Sequence, residues 1–293
     1  MNLDTPTRTS GQESLQPIPK RKRRTILLEI NSRDRNRKIY KSSTEFRYRL
    51  YRPLKDVTQI QIAGGSLPSC VYNVNTGWNQ FTLWEDGIRF TITIQPGRYI
   101  FQTLATELTT ALNAGATVNK YQVSFNSING KTTIQRVANN KDFRLLFGTG
   151  DFVDLYDQAN TLQKINSPAY MLGFESADYS SDAAGTIISP HIADLEFLLT
   201  RIYVYINHDN TQDFGFIERA VGRQQPHAII YMDTCNGNYK FLNKETYEPI
   251  FEAKPAPIAR MATLDITLRD EFDRLIDLNG RDFTLLLEIE YCE

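Results

Sequence analysis

The sequence predicts an all-β protein built from antiparallel sheets. Strand-like runs outnumber helical ones throughout the 293 residues, and no regular alternation of strand and helix is present. Four Asp-Gly or Asn-Gly dipeptides also lie between runs rich in Val, Ile, Thr, Tyr and Phe, a pattern typical of β-hairpins. Together these features favour an antiparallel sandwich or barrel of the jelly-roll kind over a parallel α/β sheet.

The four dipeptides each predict a hairpin with a two-residue turn. Type I′ turns need a positive φ angle at both central residues, and Asn-Gly and Asp-Gly tolerate that conformation. Because strand-like runs flank every dipeptide, the turn predictions and the strand predictions support each other. The predicted turns are Asp86-Gly87, Asn129-Gly130, Asn236-Gly237 and Asn279-Gly280.

Further strand-like runs fill the intervals between these hairpins. They cover residues 25–30, 45–50, 57–65, 143–147, 195–206 and 258–268. One helix is predicted over residues 99–114, where Leu104, Leu108 and Leu112 fall at helical spacing. A weaker helix candidate covers residues 152–163. The predicted fold is therefore an all-β, antiparallel jelly-roll sandwich with one or two inserted helices.

The distribution of charge divides the chain into a basic arm and an acidic body. The formal net charge is −1, but residues 1–25 carry six Lys or Arg against two Asp or Glu, a net charge of +4. Residues 1–19 are rich in Thr, Ser, Gln and Pro and lack an apolar period, so we expect them to be unfolded in the isolated chain. The predicted organisation is a disordered or extended basic arm over residues 1–24 and one elaborated jelly-roll domain over residues 25–293.

The arm ends in a run of five basic residues. Such a run could act as a nuclear-import signal, a nucleic-acid contact or a clamp on an acidic partner, and it could equally be a solvated stretch beside the first strand. The run consists of Lys20, Arg21, Lys22, Arg23 and Arg24.

Basic residues continue beyond this run. Between residues 20 and 41 there are ten Lys or Arg but only two Asp or Glu, which gives a net charge of +8. Exposed ion pairs stabilise a fold by only about 0–1 kcal/mol each, so folding stability is a weak reason for this density. Arginine can bind carboxylates or backbone carbonyls of a neighbouring chain. We therefore predict that Arg33, Asp34, Arg35 and Arg37 contact partner subunits together with the basic run.

Signatures of catalysis, metal binding and cofactor binding are lacking in the sequence. The three histidines form no HExxH or HxH spacing, and Cys70, Cys235 and Cys292 form no CxxC pair. The acidic stretch that starts at Asp277 resembles a calcium-binding loop, but Gly280 stands at its fourth position instead of the sixth. A charged hairpin tip accounts better for this stretch. We expect no enzyme activity, no metal and no cofactor.

Several stretches occur in an order that points to one group of viral proteins. They are INSRDRN (30–36), STEFRYRL (43–50), IQPGRYIFQTLATELTTALN (94–113), YQVSF (121–125), MLGF (171–174) and LRDEFDRLIDLNGRDFTLLLEIEY (268–291). Through them the chain resembles the jelly-roll minor capsid or penton proteins of nucleocytoplasmic large DNA viruses. The resemblance covers most of the chain after residue 24.

This resemblance implies a structural virion protein of an icosahedral double-stranded DNA virus. The protein would form the five-fold vertex as a homopentamer, or it would lie beneath the major capsid layer as a cement protein. Its implied partners are the major capsid protein and other minor capsid proteins, tied together by the basic arm. Its implied location is the capsid, after assembly in the host cytoplasm. Because no run approaches the roughly 18 apolar residues of a membrane span, we expect no membrane crossing.

One point of architecture stays open in the sequence. Residues 25–293 exceed the roughly 200 residues that eight strands and short turns need, so either decorations or two small β-units are present.

Two other functions stay open in the sequence. A nucleic-acid-binding β-barrel would use the basic run, and this function predicts DNA binding that weakens steeply with salt. A lectin-like sandwich would use carboxylates such as Asp270 and Asp273 to bind a glycan.

Overall fold

The computed structural model describes residues 22–158, 161–197, 200–208, 217, 225–235, 237–244, 250–252 and 257–292. The strands are β1 (Arg23–Asn31), β2 (Glu45–Pro68), β3 (Gln80–Glu85), β4 (Ile88–Thr93), β5 (Lys120–Phe125), β6 (Thr132–Ala138), β7 (Phe143–Leu146), β8 (Leu155–Tyr156), β9 (Leu162–Lys164), β10 (Asp178–Ser180), β11 (Thr186–Ile188), β12 (Arg201–Asn207), β13 (Ala228–Tyr231), β14 (Tyr239–Asn243), β15 (Ile250–Glu252), β16 (Ile258–Arg269) and β17 (Thr284–Cys292). The helical elements are α1 (Phe101–Gly115) and 3-10 turns at Ser32–Asp34 and Tyr170–Leu172.

Antiparallel pairing is the rule throughout these strands. Every strand pair in the described ranges is antiparallel. The predicted all-β class is therefore confirmed, and the arrangement is consistent with a jelly-roll-like β-sandwich that carries one inserted α-helix.

The largest sheet has eight strands arranged around the long strand β2. Its order is β1-β17-β2-β16-β12-β13, with β14 and β15 also paired to β2. Because β15 and β17 both pair with the stretch from Gln59 to Gln61, they lie on opposite edges of β2. Strands from the two ends of the described chain are neighbours, since β1 pairs with β17 along all nine of its residues.

The predicted strand runs 45–50 and 57–65 form the single strand β2, which has 24 residues. Their junction is irregular, because Asp56 has a φ of 48°. Near the end of β2, Gly65 has a φ of 145°, and a Cβ there would lie 2.3 Å from the carbonyl oxygen of Thr284 on β17. Glycine at this position therefore lets β17 and β14 approach β2 from both edges.

The segment between β2 and β12, residues 69–200, forms a second hydrophobic core; we call it the inserted segment. The first core lies on the large sheet and takes residues from β1, β2, β12, β13, β14, β16 and β17. The second core takes residues from Val74 to Leu195, and two smaller sheets frame it, with orders β10-β7-β3-β4 and β11-β6-β5. The extra length over a simple jelly roll is thus a segment with its own core. The domain division at residue 24 stays a prediction.

Three of the remaining strand runs form where the sequence predicts them. The runs 25–30, 143–147 and 258–268 correspond to β1, β7 and β16. The run predicted from residue 195 is shorter in the structure, because β12 begins only at Arg201.

Two of the four predicted hairpins form. Asp86 and Gly87 have φ angles of 45° and 88°, and they connect the paired strands β3 and β4 as predicted. The strands β5 and β6 also pair, but their register ends at Phe125 and Thr132, so the loop between them is longer than two residues. In that loop Gly130 has a positive φ of 67°. The turn type predicted there is therefore wrong, although the hairpin is correct.

The other two predicted hairpins are wrong. Asn236 lies outside the described residues, and its flanking strands separate, because β13 pairs with β12 whereas β14 pairs with β2. Asn279 and Gly280 do adopt the positive φ angles of a tight turn, 50° and 76°. However, β17 after this turn pairs with β1 and β2. The preceding residues Ile276 and Leu278 are buried in the first core from a loop, and this burial replaces the expected strand pairing.

The predicted helix is confirmed and the weaker helix candidate is wrong. Leu104, Leu108 and Leu112 are the buried residues of α1. The stretch 152–163 contains the short strand β8 and the start of β9. Buried Asp154 accepts hydrogen bonds from the backbone N–H groups 12 and 13 residues later, which folds the stretch back on itself. No helix in the described ranges is long and apolar enough to cross a membrane.

Candidate functional site

The segment predicted to bind partners lies against the loop that precedes β17. After β1 the chain makes the 3-10 turn Ser32–Asp34, in which Ser32 is buried. The N–H of Ser32 donates to the carbonyl oxygen of Phe283 at 3.0 Å, and the N–H of Phe283 donates to Ser32 Oγ at 2.9 Å. The stretches INSRDRN and LNGRDF, about 250 residues apart, therefore form one structural unit.

At the centre of this unit is Asp282, whose carboxylate is shared by a serine and three arginines. Ser32 Oγ donates to Asp282 Oδ1 at 3.0 Å, and Arg35 Nη1 donates to the same oxygen at 2.6 Å. Arg37 Nη2 lies 3.3 Å from Asp282 Oδ2, and Arg33 Nε lies 3.9 Å from it. We call these five residues the Asp282 cluster.

Arg35 is the arginine that the fold itself uses. Its side chain is 7% exposed, and it also donates to the carbonyl oxygens of Ser32 at 2.7 Å and Tyr40 at 3.3 Å. Burial raises the pKa of Asp282, but the hydrogen bonds from Ser32 and Arg35 and the charges of Arg35 and Arg37 outweigh that effect. The pKa of Asp282 therefore lies below its usual value, and the carboxylate is ionised at neutral pH.

The other described contact candidates lie on the surface. The side chains of Arg33 and Arg37 are 73% and 61% exposed, and Asp34 is exposed beside them. Exposed residues at the opposite end of β1 are Lys22, Arg23 and Arg24. Two members of the basic run, Lys20 and Arg21, lie outside the described residues. The strand β1 thus carries exposed basic side chains at both of its ends.

The Asp282 cluster leaves an excess of positive charge on the surface. When Asp34 and Lys38 are counted with the cluster, the group contains three arginines, one lysine and two carboxylates. Its net charge is therefore +2. At physiological salt this charge is screened within about 8 Å, so only a closely apposed acidic group can neutralise it. The cluster contains no histidine or cysteine. It is suited to binding carboxylates and carbonyl oxygens.

The acidic residues near the C-terminal end of the chain do not converge on one point. Asp277 Oδ1 accepts from the backbone N–H of Asn279 at 2.7 Å, Asp282 binds the arginines, and Glu288 Oε2 accepts from Lys244 Nζ at 2.8 Å. The stretch is a loop packed on the first core, so its interpretation as a hairpin tip is wrong. Among the residues that the structure describes, no group of three or more His, Cys, Asp or Glu is arranged to hold a metal ion.

A cavity of about 180 Å³ lies where the inserted segment meets the large sheet. Its wall includes Trp78 of the inserted segment, together with Asp270 and Arg274 of the loop after β16. Arg274 Cζ lies 4.1 Å from the ring centroid of Trp78, Arg274 Nε donates to Asp270 Oδ2 at 2.7 Å, and Arg274 Nη1 donates to the carbonyl oxygen of Ile165 at 3.3 Å. Arg274 therefore joins the inserted segment to the large sheet.

Asp270 and Asp273, the carboxylates considered for glycan binding, have partners within the chain. Asp270 is the ion partner of Arg274, and Asp273 Oδ1 accepts from the hydroxyl of Tyr205 at 3.0 Å. The contacts that Asp282 and Arg274 make could not be predicted from the sequence. A single sequence holds no signal for a contact such as that between Arg35 and Asp282, which spans 247 residues.

A comparison with protein families places the chain in one of them. Residues 13–191 match a family of unknown function, DUF5901, and this match spans more than half of the 293 residues. The chain belongs to this family. The DUF5901 match includes β1 and the arginines of the Asp282 cluster, and it ends before Asp282 itself.

A comparison with solved structures includes a weak similarity to a viral protein. A crystal structure of the selenomethionine-labelled mavirus penton protein shares 10% sequence identity with the chain. The alignment has a TM-score of 0.45 and covers 93% of this chain and 100% of the penton protein. No curated protein sequence matches the chain.

Proposed function

We propose that this protein is a structural subunit of an icosahedral viral capsid and that it forms the five-fold vertex as a homopentamer. The observation that carries the proposal is the Asp282 cluster. Two of the stretches through which the sequence resembles minor capsid and penton proteins, 30–36 and 268–291, pack together there and leave Arg33 and Arg37 exposed. The protein acts by binding other subunits, without catalysis.

The physical form of the molecule supports an assembly role. Antiparallel sheets on two hydrophobic cores make a rigid body with lateral faces, and a closed ring needs such faces to repeat the same contact around its axis. Exposed arginines suit this purpose, because their planar guanidinium groups bind carboxylates in a fixed geometry and are enriched in protein interfaces.

The proposed partners are acidic surfaces of the major capsid protein and of other minor capsid proteins. Arg33 and Arg37 make this contact, and the basic run Lys20 to Arg24 extends it along the arm. Arg35 is not part of the contact, because its guanidinium is buried within the chain. The protein is located in the capsid after assembly in the host cytoplasm.

Charge reversal at the two exposed arginines tests this proposal. We expect Arg33→Glu with Arg37→Glu to lower the number of copies in each purified particle by roughly tenfold, because both contacts become repulsive. Copy number is measured by quantitative mass spectrometry of virions. The matched control, Arg89→Glu with Arg260→Glu, changes the net charge equally at exposed positions elsewhere and should be incorporated normally.

Two results would contradict the proposal. If the wild-type protein is absent from purified particles, it is not a capsid subunit. If the Arg33 and Arg37 variant is incorporated in full, the Asp282 cluster is not a contact site. Circular dichroism of each purified variant verifies that the fold is intact.

A further inference from the structure

We infer that the free edge of β1 binds an extended acidic strand of a partner protein, which continues the large sheet by one strand. This inference rests on the proposed assembly function, because it specifies the surface and the partner chemistry of that contact. It depends on four features of β1: its position in the sheet, the direction of its backbone groups, its incomplete burial and the charge at its ends.

Within the described ranges, the position of β1 leaves one of its edges without a paired strand. It is the outermost strand at one end of the large sheet, and it pairs with β17 along all nine residues without a register shift. No strand of the described ranges pairs with its other edge. An open edge of this kind presents a row of N–H and C=O groups that can accept another strand.

The direction of the backbone groups follows from the pair formed by Ser32 and Phe283. The N–H of Ser32 donates to the carbonyl oxygen of Phe283 and so extends the β1–β17 register by one pair. Successive residues of an antiparallel strand direct their N–H and C=O groups to opposite edges. The N–H groups of Thr25, Leu27 and Glu29 are therefore directed away from β17, towards the open edge.

The apolar face of β1 is incompletely covered. Ile26 and Leu28 point towards the first core but are only partly buried. Their partners on β17, Ile289 and Leu287, are fully buried. On the opposite face Leu27 is 63% exposed. One more strand beside β1 would remove apolar surface from water on both faces of the sheet, which favours its addition.

Most other edge strands in the described sheets are short or protected, whereas β1 is not. At the edge of β5, Asn113 bonds to the backbone N–H and C=O of Tyr121, and Thr109 Oγ1 accepts from the N–H of Val123. The edge strands β10, β11 and β13 have only three or four residues. The strand β1 is longer than any other described edge strand, and it has neither a proline nor a bulge. Proteins usually block such an edge, so its exposure indicates a partner.

Charge selects an acidic partner strand. Exposed basic residues lie at both ends of β1, with Lys22, Arg23 and Arg24 at one end and Arg33 and Arg37 at the other. Antiparallel pairing with β1 of a second copy would place the basic run of one chain beside Arg33 of the other, and like charges directly opposite each other are destabilising. A strand with Asp or Glu near both ends would instead form opposite-charge pairs at each end.

Binding of a synthetic peptide to the full chain tests this inference. The probe is a fluorescein-labelled peptide of nine residues with alternating Glu and Val, matched in length to β1. The control peptide has the same sequence with two adjacent central amides N-methylated, which keeps the charge and blocks hydrogen bonding on both edges. We expect anisotropy titrations to show binding of the unmodified peptide that is at least roughly tenfold tighter.

Two variants locate the peptide on β1. Leu27→Pro removes an N–H that is directed to the open edge and leaves the N–H groups that donate to β17, so binding should weaken by roughly tenfold or more. Leu27→Thr keeps the N–H and should bind the peptide nearly as well as the wild type. Amide hydrogen exchange in the wild-type chain needs no variant: Thr25, Leu27 and Glu29 should exchange fast in the free protein and slowly with the peptide bound.

Three outcomes would overturn the inference. Equal affinity for the unmodified and the N-methylated peptide would show that charge attraction, without backbone hydrogen bonds, accounts for the binding. Slow exchange of the edge amides in the free monomer would mean that the chain covers its own edge, and a concentration-dependent dimer abolished by Leu27→Pro would mean that a second copy does. Because peptide binding is measured without virus, its failure leaves the incorporation experiment on Arg33 and Arg37 as a separate test of capsid function.

Discussion

At the scale of single residues, the arginines between residues 32 and 38 fall into two classes. Arg35 is buried against Asp282 and two carbonyl oxygens, so it holds the turn after β1 to the loop before β17. Arg33 and Arg37 reach the same carboxylate from solvent and remain mostly exposed. The first class serves folding and the second is available to a partner.

This division predicts a pH-dependent stability for the Asp282 cluster. The folded-state pKa of Asp282 is lowered, so its contribution is present above the unfolded pKa of about 3.9 and is lost as pH falls through the folded pKa. We expect Asp282→Asn to reduce the free energy of unfolding by about 2 kcal/mol at pH 7 and by much less near pH 2. Urea titrations at the two pH values measure the difference.

The control for this prediction is Asp34→Asn. Asp34 is exposed next to the same arginines, so its substitution should change the free energy of unfolding by less than about 0.5 kcal/mol at either pH. If Asp282→Asn and Asp34→Asn have equal effects at pH 7, then Arg35 does not depend on the carboxylate for its position.

The sequence supported part of this residue-scale description. The density of basic residues drew attention to residues 20–41, because composition is a local property, and their contact with a partner stays a prediction. The separation of Arg35 from Arg33 and Arg37 could not be predicted, because it depends on a carboxylate 247 residues away that the fold brings alongside.

At the scale of secondary-structure elements, two of the four predicted hairpin pairings form, β3 with β4 and β5 with β6, whereas the strands beside the other two predicted turns pair elsewhere. Asn279-Gly280 forms the expected tight turn, yet the strand after it pairs with β1 and β2. The dihedral preference of a dipeptide is intrinsic to it, whereas pairing is decided by which apolar residues reach the core. Residues 152–163 likewise depend on a contact outside their own stretch. Buried Asp154 accepts hydrogen bonds from a later stretch of backbone, and no helix forms there.

The long strand β2 gives an element-scale prediction. Gly65→Ala should destabilise the protein by about 2 kcal/mol or more, because a Cβ would lie 2.3 Å from the carbonyl oxygen of Thr284 and the residue has a φ of 145°. The matched control is Gly77→Ala, where a Cβ would meet no atom within 4 Å, and its effect should be below about 0.5 kcal/mol. Equal denaturation midpoints for the two variants would show that β17 does not approach β2 this closely.

At the scale of the whole molecule, the chain is a large sheet with an inserted segment that has its own core. The sequence indicated the excess length and left open whether decorations or two small β-units account for it, because both cores contain the same kinds of strand. The contacts of Arg274 with Trp78 and with the carbonyl of Ile165 join the two parts beside the junction cavity.

Removal of this joint should uncouple the two cores. We expect Arg274→Ala to lower the free energy of unfolding by about 1–3 kcal/mol and to separate the unfolding transitions seen by tryptophan fluorescence and by far-UV circular dichroism. The control is Arg144→Ala, because Arg144 stacks on Trp84 at 4.9 Å within the inserted segment. Its transitions should remain coincident. Coincident transitions in Arg274→Ala would contradict the proposed joint.

We have proposed that this β-sandwich is a capsid subunit that binds neighbours through the basic surface around β1. A cryo-EM map of the purified virion tests that role. We expect five copies of the chain around each five-fold axis, with a strand of a neighbouring protein beside β1 and acidic side chains next to Arg33 and Arg37. A vertex built entirely from other proteins, or a copy of this chain whose basic surface faces solvent, would contradict it.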